Sequence, residues 1–404
     1  MKRSPMLVIF MTVFIDLVGF GIVIPVLPFY LESERFRATP VALGLLFASY
    51  SVMQLIFTPV LGRLSDRHGR RPVLLLSIIG TGIGFLIMGA ATTLWMLFVG
   101  RVLDGITGGN ISTAQAYVAD ITTPENRAKG MGMFGAAFGL GFIFGPALGG
   151  LLTHWGMNAP FYFAAALAFS NATLLYFVLP ETVTPDHPAR AFAARGWTNI
   201  RRQLTHRRLV LVLLIYFLFV VSFSIMTTTF ALYTKYRYGY DQTHNGYLFT
   251  YIGIISAVIQ GLLIGRLVKR LGEMTLVVAG ALVLTSSLIL LPFIGPANGG
   301  LITLLILLAA FSVGNSFATP SLTSLASRSV GAGEQGGVMG VTQSAASLAR
   351  VIGPLIGGFL IYSATPPEYV SDRSLFLTFG AAAIIMFVAL LMALYFARTQ
   401  SAFR

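Results

Sequence analysis

Four ionisable side chains, Asp16, Arg101, Asp104 and Arg350, lie deep inside long apolar runs of a chain in which only 10% of residues are charged. Their formal charges cancel. Charge buried in hydrocarbon is costly, so such residues are kept for tasks such as moving protons or ions or holding a charged ligand. Arg101 and Asp104 stand three apart, a helical spacing that lets them pair, and Gly105 and Gly108 continue that face. Asp16 has no charged residue three or four positions away on either side. A proton-coupling group must change charge during its cycle, whereas a carboxylate beside a cation stays ionised. Asp16 is therefore the candidate that gains and loses a proton, and Asp104 the one that remains paired. The competing reading is a purely structural charge network.

Other polar and aromatic side chains share these apolar runs: Phe20, Tyr50, Gln54, Asn110, Gln260, Asn315 and Gln343. They are candidate substrate contacts, and each could equally hydrogen-bond a neighbouring helix. A cavity rich in Phe and Met suits an amphiphilic, partly aromatic compound. Enzymatic chemistry finds no support: HExxH, GxSxG and paired catalytic carboxylates are absent, so no enzyme is expected. Cysteine is missing and the five His form no HxxxH pair, so neither a metal site nor a cofactor is expected. "GTGIGF" (Gly80–Phe85) imitates a dinucleotide loop without a strand before it, which makes it helix packing. "NIS" and "NAT" are formally glycosylation sequons, but both fall in apolar runs and are discounted.

The elements that must position these residues follow from composition. The chain has 404 residues, 56% hydrophobic, with a mean hydropathy of +0.80. Crossing the bilayer core takes about 20 apolar residues. Six such runs occupy the first part, at Met6–Tyr30, Val41–Leu61, Pro72–Ala91, Leu94–Val118, Gly130–Thr153 and Pro160–Leu179. Six more follow, at Leu209–Tyr233, Asn245–Gly265, Met274–Ile294, Leu301–Leu325, Gly336–Ser363 and Leu375–Ala397. Helices are expected, because barrel strands would alternate over about ten residues. The first run contains Asp16 and no small-residue cleavage site, so it reads as a retained helix rather than a signal peptide.

The net charge of +13 sits in short gaps between the runs and forms no continuous basic face, which argues against a nucleic-acid partner. Alternating the loops puts 20 of the 27 Lys and Arg on the side of the N-terminus, so both termini are expected in the cytoplasm. The long gap from Pro180 to Arg208 places Trp197, Ile200 and Leu204 at i, i+3 and i+7 beside arginines. A helix lying on the membrane surface and a solvated linker are equally open there.

The chain repeats itself. "MGMFGAAFGLGFIFGPALGG" (Met131–Gly150) aligns without gaps on "MGVTQSAASLARVIGPLIGG" (Met339–Gly358) at an offset of 208, and "GRLSDRHG" (Gly62–Gly69) on "GRLVKRLG" (Gly265–Gly272) at 203. The expected fold is an all-α membrane protein of twelve transmembrane helices in two pseudo-symmetric six-helix halves. Residues 1–180 and 209–404 form the halves, joined by a cytoplasmic linker at 181–208. Gly141, Gly145 and Gly149 make a small-residue stripe, interrupted by Pro146, along which helices can pack closely and move.

"GRLSDRHGRRP", "FVGRVLDGITGGN" and "GFIFGPALGG" resemble, in order, the loop-2/3, helix-4 and helix-5 motifs of the major facilitator superfamily. "FIDLVGFGIVIPVLP" and "GITGGNISTAQAYVADITTPENRAKGMGMFGAAFGLGFIFGPALGG" are similar to the tetracycline-efflux branch of its drug/proton antiporters. The resemblance implies a secondary transporter, monomeric in membrane lipid, exporting a small organic compound against protons in a bacterial inner membrane. It also implies that Asp66 approaches the cytoplasmic end of the run Gly336–Ser363 and, with Arg67, Arg70 and Arg127, locks the outward-open state; Gly62 and Gly69 are expected to let the loop turn tightly. The tetracycline exporters carry further acids inside helices 3 and 9, where this chain has Gly84 and no acid in Met274–Ile294. A symporter or facilitator for a metabolite and a lipid translocase stay open on the same fold, as does a sensor without turnover.

Overall fold

The computed structural model describes residues 5–122, 124–182, 207–329, 335–363 and 369–401, apart from the side chains of 124–135, 335–337 and 400–401. Regular structure among the described residues is helical. The helices are α1 (Pro5–Glu32), α2 (Pro40–His68), α3 (Arg70–Gly89), α4 (Leu94–Thr107), α5 (Asn110–Ile121), α6 (Pro124–Leu152) and α7 (Ala159–Val178). They continue with α8 (Arg207–Tyr238), α9 (Gln242–Leu271), α10 (Glu273–Leu290), α11 (Gly300–Arg328), α12 (Gln335–Ile361) and α13 (Asp372–Ser401). Helix α9 carries a π turn at Ile259–Leu263.

Among the described residues, eleven helical segments are long and apolar enough to cross a membrane. Within hydrocarbon each backbone N–H and C=O must find its partner inside the segment, which a helix alone among open structures provides. Large apolar side chains face outward, with Phe177 78% and Ile302 73% exposed, as a lipid-facing surface requires. The twelfth run, Leu94–Val118, is not one helix: it is α4 followed by α5, broken at Gly108–Gly109. The break is built from contacts. A Cβ on Gly108 would meet the Tyr50 hydroxyl at 3.0 Å, and one on Gly109 would meet Leu61 at 2.7 Å. Gln54 donates from Nε2 to the Gly108 carbonyl at 3.1 Å, satisfying a group that the break releases. The surface helix weighed for Trp197–Leu204 lies outside the described residues.

The chain divides into two compact units. The first comprises Met1–Ala38, Ser49–Ala194 and Asp241–Thr250; the second comprises Thr39–Ala48, Arg195–Tyr240 and Tyr251–Arg404. In the first, the α6 glycines press on α1: a Cβ on Gly145 would sit 2.6 Å from Gly21 Cα, and one on Gly149 2.5 Å from the Ile22 carbonyl. In the second, α12 packs on α8 through the repeat-equivalent glycines, Gly353 against Ser224 and Gly357 against Thr229. Each unit also holds a reciprocal glycine pair, Gly84 with Gly100 between α3 and α4, and Gly280 with Gly314 between α10 and α11. Backbones this close exclude side chains and leave little freedom to the residues beside them.

Candidate functional site

The α1–α6 contact holds Asp16 one residue before Leu17, whose Cβ lies 2.6 Å from where a Gly141 Cβ would be. Asp16 is half-buried and makes no ion pair among the described residues. Its neighbours come from the broken helix. The Asn110 amide, on the first residue of α5, lies beside the Asp16 carboxyl, and Asp104 lies within electrostatic reach. The break therefore has a use: it redirects the chain so that the start of α5, the positive end of its dipole, carries the side chain facing Asp16.

Arg101 and Asp104 form a buried ion pair, with Nη1 3.0 Å from Oδ2 and the two residues 1% and 5% exposed. The Arg101 guanidinium also lies over the Tyr50 ring, 4.3 Å from its centroid. Thr81 of α3 lies beside Asp104, one turn before Gly84, where a Cβ would meet Asp104 Cβ at 3.2 Å. The Tyr50 hydroxyl accepts from Gln54 Nε2 at 3.1 Å, and the Phe20 ring lies 6.1 Å from that of Tyr50. Asp16, Phe20, Tyr50, Gln54, Arg101, Asp104 and Asn110 thus belong to one cluster within the first unit. Its charges do not cancel: it holds one arginine, paired with Asp104, and a second carboxyl group in Asp16.

The remaining sequence candidates, Gln260, Asn315, Gln343 and Arg350, lie in the second unit and are not drawn together by hydrogen bonds. Gln260, inside the π turn, reaches Ser316 Oγ at 3.4 Å, and Asn315 Oδ1 accepts from Thr319 at 3.0 Å. Arg350 donates to Ser347 at 3.4 Å, while Gln343 is exposed.

At the α2–α3 turn, Arg70 pairs with Asp66 and, at 3.1 Å, with Asp120 of α5, and also donates to Ser65 at 2.7 Å. Arg67 is exposed and the Arg127 side chain lies outside the described residues. Sequence reasoning missed Glu181, whose carboxylate accepts the backbone N–H groups of Arg70 and Arg71 at 2.9 and 3.1 Å and so caps α3. Gly69 makes room for it. With φ at +109° and the Glu181 carboxylate where a Cβ would project, that position takes glycine alone. Thr81 and Asn171 were also missed, because single polar residues in apolar helices carry no spacing signal.

A buried ion pair and a separate, half-buried carboxyl group, held inside membrane-spanning helices, are the charge arrangement of an integral membrane transporter. The family model of the Major Facilitator Superfamily matches residues 9–354, and the chain belongs to that family. It is 34% identical over 375 residues to the class H tetracycline resistance protein of Pasteurella multocida, covering 90% of each chain. Multidrug resistance protein 2 of Bacillus subtilis (strain 168) is 29% identical over 367 residues, 89% of each chain. The crystal structure of the human organic anion transporter MFSD10 (TETRAN) matches with a TM-score of 0.73 and 26% identity, covering 97% of this chain and 99% of that one. The protein is a transporter and not an enzyme.

Proposed function

We propose that this protein exports small organic, drug-like compounds in exchange for protons by alternating access, from a bacterial inner membrane with both termini in the cytoplasm. The observation that carries the reading is the unequal count in the first unit: Arg101 balances Asp104, and Asp16 is left to take a proton. A protonated Asp16 makes the cluster neutral, which lowers the cost of closing it away from water. Loss of that proton restores a net negative charge, which attracts a cationic compound or Arg101 itself. Protonation and substrate occupancy then alternate, which is antiport. The resistance proteins among its relatives support drugs as the cargo class.

Uptake into proteoliposomes under an imposed pH gradient, across a compound panel, tests this. Flux opposite to the proton gradient is expected; flux with it identifies symport, and flux that ignores it a facilitator. Asp16→Asn, which mimics the protonated carboxyl, is expected to abolish gradient-driven flux while retaining part of the substrate binding. Proton release on substrate addition in detergent locates the group. Release that survives in Asp16→Asn and vanishes in Asp104→Asn would move the coupling role to Asp104.

A further inference from the structure

A cavity of about 10 Å³ lies inside the first unit between α1, α3 and α7. Asp16, Gly19, Thr81, Phe85, Ala168 and Asn171 line it. That volume is close to the least that holds one water, and a buried water needs two to four polar partners. Three polar residues stand in the lining: Asp16, Thr81 and Asn171.

Asn171 is the pointed observation. It is 1% exposed, and its Nδ2 donates to the Thr12 carbonyl at 3.0 Å. That carbonyl can only accept, so the amide orientation is set and Oδ1 is left as the other group. Oδ1 is buried with no hydrogen-bond partner among the described residues. A buried acceptor left unmatched is rare in folded proteins and calls for a ligand that donates. Thr81 is shared: it lines this cavity and stands beside Asp104, whose Cβ packs at Gly84 one turn further along α3, and Asp104 in turn holds Arg101.

We propose that one water molecule occupies this cavity, held by Asn171 Oδ1, and joins Asp16 through Thr81 to Asp104, so that the two carboxyl groups share a single exchangeable proton. The water donates to Asn171 Oδ1 and to Thr81 Oγ1 and accepts from protonated Asp16. Transfer breaks the Asp16 O–H bond and forms a new O–H bond on the water. The water passes a proton on to Thr81 Oγ1, and the proton already on Thr81 moves to the Asp104 carboxylate. The sum is one proton moved from Asp16 to Asp104 with water and threonine unchanged. Its consequence is electrostatic: protonated Asp104 no longer neutralises Arg101, so a proton taken up at half-buried Asp16 alters the charge of the buried pair. The charged group facing Asp16 is Asp104 from α4, with Arg101 paired behind it; α3 and α7 present only uncharged side chains to the cavity. Asn171 and Thr81 are positioning residues in this scheme, which rests on the proton-antiport reading.

Two measurements decide it. A structure of the parent at a resolution that shows ordered solvent is expected to contain one density peak within hydrogen-bond distance of Asn171 Oδ1, Thr81 Oγ1 and the Asp16 carboxyl. Asn171→Leu is expected to remove that peak. No peak in the parent overturns the proposal, whatever the transport assay gives. In proteoliposomes with the dye ethidium as probe, the ratio of pH-driven flux to dye exchange at equal pH is the second readout. Thr81→Val is expected to lower that ratio about a hundredfold, the lower end of what a positioned proton-transfer group contributes, and Thr81→Ser to restore it. A parent-like ratio in Thr81→Val, or no rescue by serine, overturns the relay. Absence of pH-driven flux in the parent counts against antiport of this dye instead, and the density result still decides the water.

Discussion

At the scale of single residues, Gly84 and Asp104 are a matched pair. A Cβ added to Gly84 would lie 2.9 Å from the Gly100 carbonyl and 3.2 Å from Asp104 Cβ. The resemblance to the tetracycline exporters places an acid at this point of helix 3; here the carboxylate is supplied by α4, packed against the same spot. Gly84→Ala is therefore expected to push α3 from α4 and lower the melting temperature in detergent by a few degrees. Removing one partner of the buried ion pair, as in Asp104→Leu, leaves Arg101 uncompensated and is expected to cost about 3–5 kcal/mol. The double variant Arg101→Met with Asp104→Leu should recover much of that, and thermal unfolding of the three proteins measures it. This pair was legible in the sequence because i, i+3 spacing on a helix fixes proximity. The partners of Asp16 were not, since Asn110, Thr81 and Asn171 reach its neighbourhood from three other helices. Both asparagines stand in sequons set aside as non-acceptors, and burial against α1 gives them other work.

At the scale of elements, the glycines of α6 differ sharply from glycines elsewhere. A Cβ on Gly145 would meet backbone atoms of α1 at 2.6–2.9 Å, whereas one on Gly265 of α9 meets nothing within 4 Å. Gly145→Ala is expected to lower both stability and transport, and Gly265→Ala to be neutral or slightly stabilising through its better helix propensity of about 1 kcal/mol. Parallel melting curves and flux assays separate the two. The twelve apolar runs were readable from length alone, but the break at Gly108–Gly109 was not. Glycine is tolerated inside transmembrane helices, and what opens the helix here is a side chain from α2. Gln54→Leu leaves the Gly108 carbonyl unmatched and is expected to cost about 1–3 kcal/mol, seen as a lower melting temperature. Helix α9 begins with a cap of its own. Asp241 Oδ1 accepts from the His244 backbone at 2.9 Å, and although burial opposes it, bonding to His244 holds this carboxyl below its ordinary value. A depressed folded value means that its contribution is present above the unfolded value of about 4 and is lost as pH falls through the folded one. Asp241→Asn is therefore expected to flatten that acid-side loss in melts taken across the acid range.

At the scale of the whole molecule, the internal repeat preserves a charge pair and reverses its sign. Arg70 meets Asp120 in the first unit; the positions related by the offsets of 203 and 208 are Glu273 and Arg328, which meet at 3.5 Å in the second. Environment makes the two unequal, since Arg70 is 5% exposed and the Arg328 side chain 72%. Breaking the buried pair with Asp120→Asn is expected to cost several-fold more stability than Arg328→Gln, because an exposed pair contributes only about 0–1 kcal/mol. Orientation is testable because the chain has no cysteine. His68→Cys is expected to react with a membrane-impermeant reagent only from the cytoplasmic side, and Arg373→Cys only from the outside. One feature bears on how the gene could be divided. Tyr117 donates to the Pro180 carbonyl at 3.0 Å, Glu181 caps α3, and Thr182 Oγ1 donates to Asp120 at 3.2 Å. These three residues fasten the end of the first half to its own underside, like the last stitch of a seam. If the protein were expressed as two separate fragments, a cut after Thr182 would keep that stitch with the first fragment. A cut only three residues earlier would release it, uncapping α3 beside the Arg70 cluster before the second fragment was ever added.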